Sequence, residues 1–204
     1  NDGFFIAPAP MYESYKKTLE AALANHVKET LIPYKDRFNR GFEVPMDFTY
    51  EKKNYRLRMI VLFDHGLCAR KQATLHRRVK KTTAAFKQLE SKLNRYKLKT
   101  QTAIEKACTA ILKKNHTRDF FTYRIVNEPV TTYKNKRRGR PSKNAPVEQV
   151  AVAEDNFRVE LQFDRQAFDG ELAKCGYYPL LTNQPVDRLG IEEAMKVHKG
   201  QYKS

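Results

Sequence analysis

Apolar and polar positions along the chain divide into helix-spaced and alternating stretches. Tyr15, Leu19, Ala22, Leu23, His26 and Val27 recur at helical spacing, predicting a helix from Glu13 to about Leu31 that Pro33 ends. Before it, Phe4-Phe5-Ile6 reads as a short strand closed by Pro8 and Pro10. Alternation in Phe48, Tyr50, Tyr55, Leu57 and Met59 predicts a hairpin of residues 42–50 and 55–63 turning at Lys52-Lys53-Asn54. Leu75, Val79, Thr82, Phe86, Leu89, Leu93 and Tyr96 follow at intervals of four and three, a heptad seam with Thr82 as its polar member. Thr100-Gln101 interrupts it, and Ile104, Cys108, Ile111 and Leu112 form the stripe of a second helix, so an antiparallel helical hairpin is expected. Strands are predicted over 120–133, broken at Pro129, over 150–163, and over 177–182. A short helix is expected over 165–172, and a last helix containing Ile191, Ala194, Met195 and Tyr202 is expected to be capped by Asp187. The class is α+β.

Charge changes this picture most. The 204 residues carry 39 Lys and Arg against 23 Asp and Glu, a formal net charge of +16. Residues 65–143 alone hold 22 of the basic residues and only four acids, so the whole excess sits in one central segment. A positive field so concentrated points to a polyanionic partner, with a solvated helical face as the plain alternative. Arg77, Arg78, Lys80 and Lys81 are placed by the spacing on the exposed side of the first long helix. Lys134, Lys136, Arg137, Arg138, Gly139, Arg140, Pro141 and Lys143 belong to a ten-residue run, 134–143, without one apolar residue. Its Arg138-Gly139-Arg140-Pro141 core is that of an AT-hook-like minor-groove binder. Glycine lets the backbone sit deep in a narrow groove, proline keeps it extended, and the flanking arginines are drawn to the negative potential of A·T tracts. A basic loop tip that touches nothing specific is the competing reading of the same residues.

Other chemistry is sparse. Cys68, Cys108 and Cys175 are odd in number and widely spaced, which suits buried thiols in a reducing compartment. His65 and Cys68 lack the second ligand pair a zinc site needs. No phosphate-binding loop, dinucleotide fingerprint or nucleophile elbow is present, so no catalytic residue, metal ligand or cofactor site is assigned. The longest aliphatic and aromatic run is Met59–Phe63, too short for a membrane span, and Phe4-Phe5-Ile6 has no basic region before it, unlike a signal peptide. A cytoplasmic chain with no membrane partner is expected.

Two stretches carry a family resemblance. Cys175-Gly176-Tyr177-Tyr178-Pro179-Leu180-Leu181-Thr182-Asn183, followed by Ala194-Met195-Lys196-Val197-His198-Lys199-Gly200-Gln201-Tyr202-Lys203-Ser204, resembles a stretch of bacterial insertion-sequence transposases of the DDE, ribonuclease-H-like class, with His198 where the family usually has Tyr. Gly139-Arg140-Pro141 and the opening Gly3-Phe4-Phe5-Ile6-Ala7-Pro8-Ala9-Pro10 are similar to further features of that class, the latter to the strand after the second catalytic Asp. The resemblance implies partial ribonuclease-H-like core elements at both ends, residues 1–33 and 171–204. It makes 34–170 an insertion domain holding the β-hairpin, the basic helical hairpin over 65–115 and the basic loop. It also implies that the chain lies between the second catalytic Asp and the catalytic Glu and matches neither. The Mg²⁺ site of an intact relative would then be absent, and this chain alone inactive. The implied partner is double-stranded DNA in a bacterial cytoplasm, with homo-oligomerisation a property of the intact transposase. An AT-hook-like architectural or regulatory protein is the alternative, and a helical interaction protein that meets RNA or an acidic partner is a third.

Overall fold

The computed structural model describes residues 3–9, 13–25, 28–34, 37–50, 52–135 and 149–201. Its class is α+β, with five helices and nine strands among those residues. They fall into two compact units, residues 1–74 with 170–204 and residues 75–169.

The first unit is built on an antiparallel sheet. Its strands are β1 (Ile6–Pro8), β2 (Thr30–Tyr34), β3 (Arg37–Tyr50), β4 (Lys53–Phe63) and β9 (Tyr177–Thr182), in the order β1-β9-β4-β3-β2. β4 is central, and its run Met59-Ile60-Val61-Leu62 is completely buried. Strand pleating sends these residues to alternate faces. Met59 and Val61 pack with Tyr15, Leu19 and Ala22 of α1 (Glu13–Ala24), while Ile60 and Leu62 pack with Ala194 and Met195 of α5 (Ile191–Gln201). A strand dry on both faces reads as a continuous apolar run, which is why no polar residue interrupts it. Gly41 of β3 pairs with Leu62, and a Cβ there would come within 2.6 Å of the Val61 carbonyl oxygen, so a side chain has no room.

Several expectations need correction here. The first helix ends at Ala24, not near Leu31, and residues 30–34 form β2 at the edge of the sheet. Pro33 is tolerated there because an edge strand has one side without ladder partners. The hairpin of β3 and β4 forms part of this sheet, in which β4 pairs with β9 from Arg58↔Thr182 to Phe63↔Tyr177. Asp187 does not cap the last helix. It lies in a turn closed by the Arg188 and Leu189 N–H groups on the Pro185 carbonyl, and the helix starts after Gly190. Tyr202 lies outside the described residues.

The second unit contains most of α2 (His65–Glu90), then α3 (Gln101–Asn115), β5 (Phe121–Asn127), β6 (Val130–Asn135), β7 (Gln149–Glu154), β8 (Phe157–Phe163) and the start of α4 (Arg165–Ala173). Leu75, Thr82, Phe86 and Leu89 of the expected seam are buried, and Val79 is half-buried. The helix stops at Glu90, however; Leu93 is buried in the following turn and Tyr96 is exposed. Thr82 is the polar seam member for a local reason: its hydroxyl hydrogen-bonds that of buried Thr117 at 2.9 Å. Both helices meet β5 at Tyr123, whose ring lies 6.4 Å from that of Phe86 and whose hydroxyl bonds Thr109 of α3 at 3.0 Å. Thr100 caps α3, accepting from the Ala103 N–H. No helix among the described residues is long and apolar enough to cross a membrane.

Candidate nucleic-acid interface

Four strands of the second unit form two successive antiparallel ribbons. β5 pairs with β8 from Phe121↔Phe163 to Asn127↔Phe157, and β6 pairs with β7 from Val130↔Glu154 to Asn135↔Gln149. The proximal ribbon has a dry side, where Phe121, Phe157 and Val159 are buried. Only Glu128-Pro129 and Asp155-Asn156 separate it from the distal ribbon, because proline cannot donate to a ladder. Polar side chains pin this junction: Asn127 Nδ2 donates to Asp155 at 2.7 Å, and Asn127 Oδ1 accepts from the Asn156 N–H at 3.0 Å.

The distal ribbon is different in kind. Almost every residue of β6 and β7 is exposed. The register puts Val130, Val150 and Val152 on one face, all exposed, and Tyr133 on the other, 69% exposed. Residues 136–148 connect its two strands and hold five Lys or Arg against one Glu. Lys136, Arg137, Arg138, Gly139, Arg140, Pro141 and Lys143 therefore lie outside the described residues, and the structure places only the ribbon that carries them. Lys134 is the one member of the run that is described, and it is ion-paired with Glu154. The hydrogen bond from Lys134 and its charge, with the Lys99 charge adding to them, hold the Glu154 carboxyl below its ordinary value. Lys134 is thus matched by an acid.

On α2, Arg77, Lys80 and Lys81 are exposed and Arg78 is half-buried; none makes an ion pair with a described residue. They share the helix with the buried positions Leu75, Thr82 and Phe86, which keep the cations on the water side. The turn between α2 and α3 holds a further group of exposed cations. Lys92, Arg95, Lys97 and Lys99 are exposed there around Tyr96. The heptad spacing assigned Tyr96 to a buried seam, but Asn94 and Tyr96 take left-handed conformations and the helix has ended before them.

In the first unit the two ends of the resemblance are brought side by side. β1 pairs with β9 (Ile6↔Thr182, Ala7↔Leu181, Pro8↔Leu180). The Phe5 N–H donates to Asn183 Oδ1 at 3.0 Å, Asn183 Nδ2 donates to the Gly3 carbonyl at 3.0 Å, and the Thr182 hydroxyl donates to the Phe5 carbonyl at 2.6 Å. Arg58 holds the segment after them, donating to the Gln184 carbonyl at 2.7 Å and the Leu189 carbonyl at 3.0 Å while bonding Glu43 at 2.6 Å. Asp64, the N-cap of α2, accepts from the Leu67 N–H at 2.7 Å and lies 3.5 Å from Lys199. Burial raises its carboxyl, but the Leu67 bond and the Lys199 charge outweigh burial and leave it below its ordinary value. The Tyr177 hydroxyl donates to Glu29 at 2.5 Å; burial first, and that carboxylate second, push the phenol up to about 12. Among the described residues no group of three His, Cys, Asp or Glu is gathered around one point. Compared with known protein families, curated proteins and solved structures, the chain matches none.

Proposed function

We propose that this chain binds double-stranded DNA through the β6–β7 ribbon and residues 136–148, as a segment of an insertion-sequence transposase of the DDE class. The observation that carries the DNA reading is the distal ribbon itself, exposed on both faces and bearing the densest run of cations in the sequence. A two-stranded ribbon has little stability of its own in water, so its exposed valines and Tyr133 gain from being covered by a partner. A ribbon also fits DNA dimensionally: the major groove admits two strands, and arginines beside a glycine suit the narrower minor groove. In this proposal Arg138 and Arg140 lie along the minor-groove floor, while Lys136, Arg137 and Lys143 neutralise phosphates. Arg77, Lys80 and Lys81 add a second, sequence-independent contact.

The transposase reading is supported by the pairing of β1 with β9. The two segments that resemble the family are about as far apart in sequence as the chain allows, yet their strands share a ladder and their loops share hydrogen bonds. A core assembled from both would require that.

The experiment is a comparison of A·T-tract and G·C-rich duplexes by fluorescence anisotropy. The A·T duplex should bind more tightly, because the guanine amino group obstructs the minor-groove floor. Arg138→Ala with Arg140→Ala should erase the preference, while Lys136→Ala and Lys143→Ala should weaken both duplexes equally. Equal affinity of the unaltered chain for the two duplexes would refute minor-groove entry.

A further inference from the structure

The turn between α2 and α3 holds an aromatic ring where folding alone gives it no reason to be. Asn94 donates its N–H to the Leu98 carbonyl at 2.8 Å, and the Leu98 N–H donates to the Arg95 carbonyl at 3.0 Å, closing a turn over residues 94–98. The Asn94 side chain fastens that turn to the ribbon junction: Nδ2 donates to Asn156 Oδ1 at 2.9 Å and to the Phe157 carbonyl at 3.0 Å, and Oδ1 accepts from the Phe157 N–H at 2.8 Å. Within the turn Asn94 takes φ +61° and Tyr96 φ +50°. Asparagine visits the left-handed region readily; a tyrosine does so against the clash of its Cβ with the backbone. Tyr96 is 90% exposed, so no burial compensates for that conformation.

The surroundings say what such a ring could meet. Lys92, Arg95, Lys97 and Lys99 are exposed around it, and none makes an ion pair with a described residue. Cations that neutralise phosphate beside a ring with both faces in water are the two components of a base-stacking platform. In an intact duplex each base face is already covered by its neighbours. A ring of this kind finds a partner only where a base is unpaired, at a gap, an end or a bulge. We infer that residues 92–99 form a second DNA contact, separate from residues 134–143, at which Tyr96 stacks on an unpaired base. Strained backbone held in place by surrounding bonds is a recurrent property of ligand-contacting residues, and here those bonds come from Asn94.

This inference rests on the DNA-binding reading, and its test separates the two. The full chain is titrated with a fully paired duplex and with the same duplex carrying a short single-stranded gap that holds a fluorescent base analogue. The gapped probe should bind about tenfold more tightly, with a change in the analogue's fluorescence. Tyr96→Phe should keep both effects because the ring remains. Tyr96→Ala should lose both, while its affinity for the paired duplex and its melting temperature stay unchanged, since the side chain buries nothing. Equal binding of the two probes by the unaltered chain overturns stacking and leaves the ribbon reading standing. A gap preference that survives Tyr96→Ala also overturns the inference. No binding of either probe overturns both readings.

Discussion

β4 and β7 are both antiparallel strands with aliphatic side chains, yet Met59–Leu62 is dry on both faces and Gln149–Ala153 is wet on both. The difference lies in what covers them. β4 sits between neighbouring strands and between α1 and α5, so its residues lose all contact with water. Among the described residues β7 has one neighbour, β6, and neither face of the pair is covered. Burying aliphatic surface is worth about 25 cal/mol per Å², so β4 stabilises the fold while β7 contributes little to it. The two strands therefore differ in what they contribute to stability, and the uncovered one follows the most basic segment of the sequence. That exposed apolar surface is what the proposed DNA contact would cover.

The largest test of this contrast is truncation within β4. Ile60→Ala removes buried atoms from a fully enclosed position and should cost about 2–5 kcal/mol, read by denaturant unfolding. A loss well below 1 kcal/mol would mean that this strand is less enclosed than its burial indicates.

The second unit has its own buried polar contact to break. Thr82→Val leaves the Thr117 hydroxyl buried without a partner and should cost about 1–3 kcal/mol, whereas Thr82→Val with Thr117→Val should recover most of that loss. A double variant that is no better than the single one would show that the pair contributes nothing beyond packing.

Tyr177 gives the first unit a pH signature. Its phenol is raised in the fold to about 12 from an ordinary value near 10, so the neutral form is favoured. Stability should be complete below about pH 10 and decline as pH rises toward the folded value. Tyr177→Phe cannot ionise there and should lose that part of the decline, seen in thermal melts across the alkaline range. An unchanged alkaline profile would remove Tyr177 from the account.

The smallest effect belongs to the distal ribbon. Val152→Ala should change stability by no more than about 0.5 kcal/mol, because its side chain is already partly in water. A loss as large as that of Ile60→Ala would mean the ribbon face is covered.

Legibility in the sequence followed the same division. The hairpin of β3 and β4 was visible because alternation survives wherever one face is drier than the other, and Met59–Phe63 stood out because a two-sided strand excludes polar residues. β2 was hidden because helical spacing ran on through Val27 to Leu31 and Pro33 reads as a helix stop, whereas an edge strand accommodates proline. The end of α2 was also hidden. Leu93 and Tyr96 keep heptad spacing, and neither Gly nor Pro announces the turn; it is made by Asn94 and Tyr96 in left-handed conformations and held by bonds to Asn156 and Phe157, more than sixty residues away. The basic run was legible from composition alone, but that it joins the strands of an exposed ribbon depends on pairing between β6 and β7, which composition does not encode.

The central claim, that the ribbon-borne cations bind duplex DNA, is tested most directly by the salt dependence of binding. The slope of log K against log[salt] should be steep and negative, about −0.9 for each phosphate neutralised. Replacing Lys136, Arg137, Arg138, Arg140 and Lys143 together by Ala should flatten it by several such increments and weaken binding strongly at low salt. A slope unchanged by those five substitutions would contradict the account and place DNA affinity elsewhere on the molecule; duplex affinity that does not vary with salt would contradict it outright.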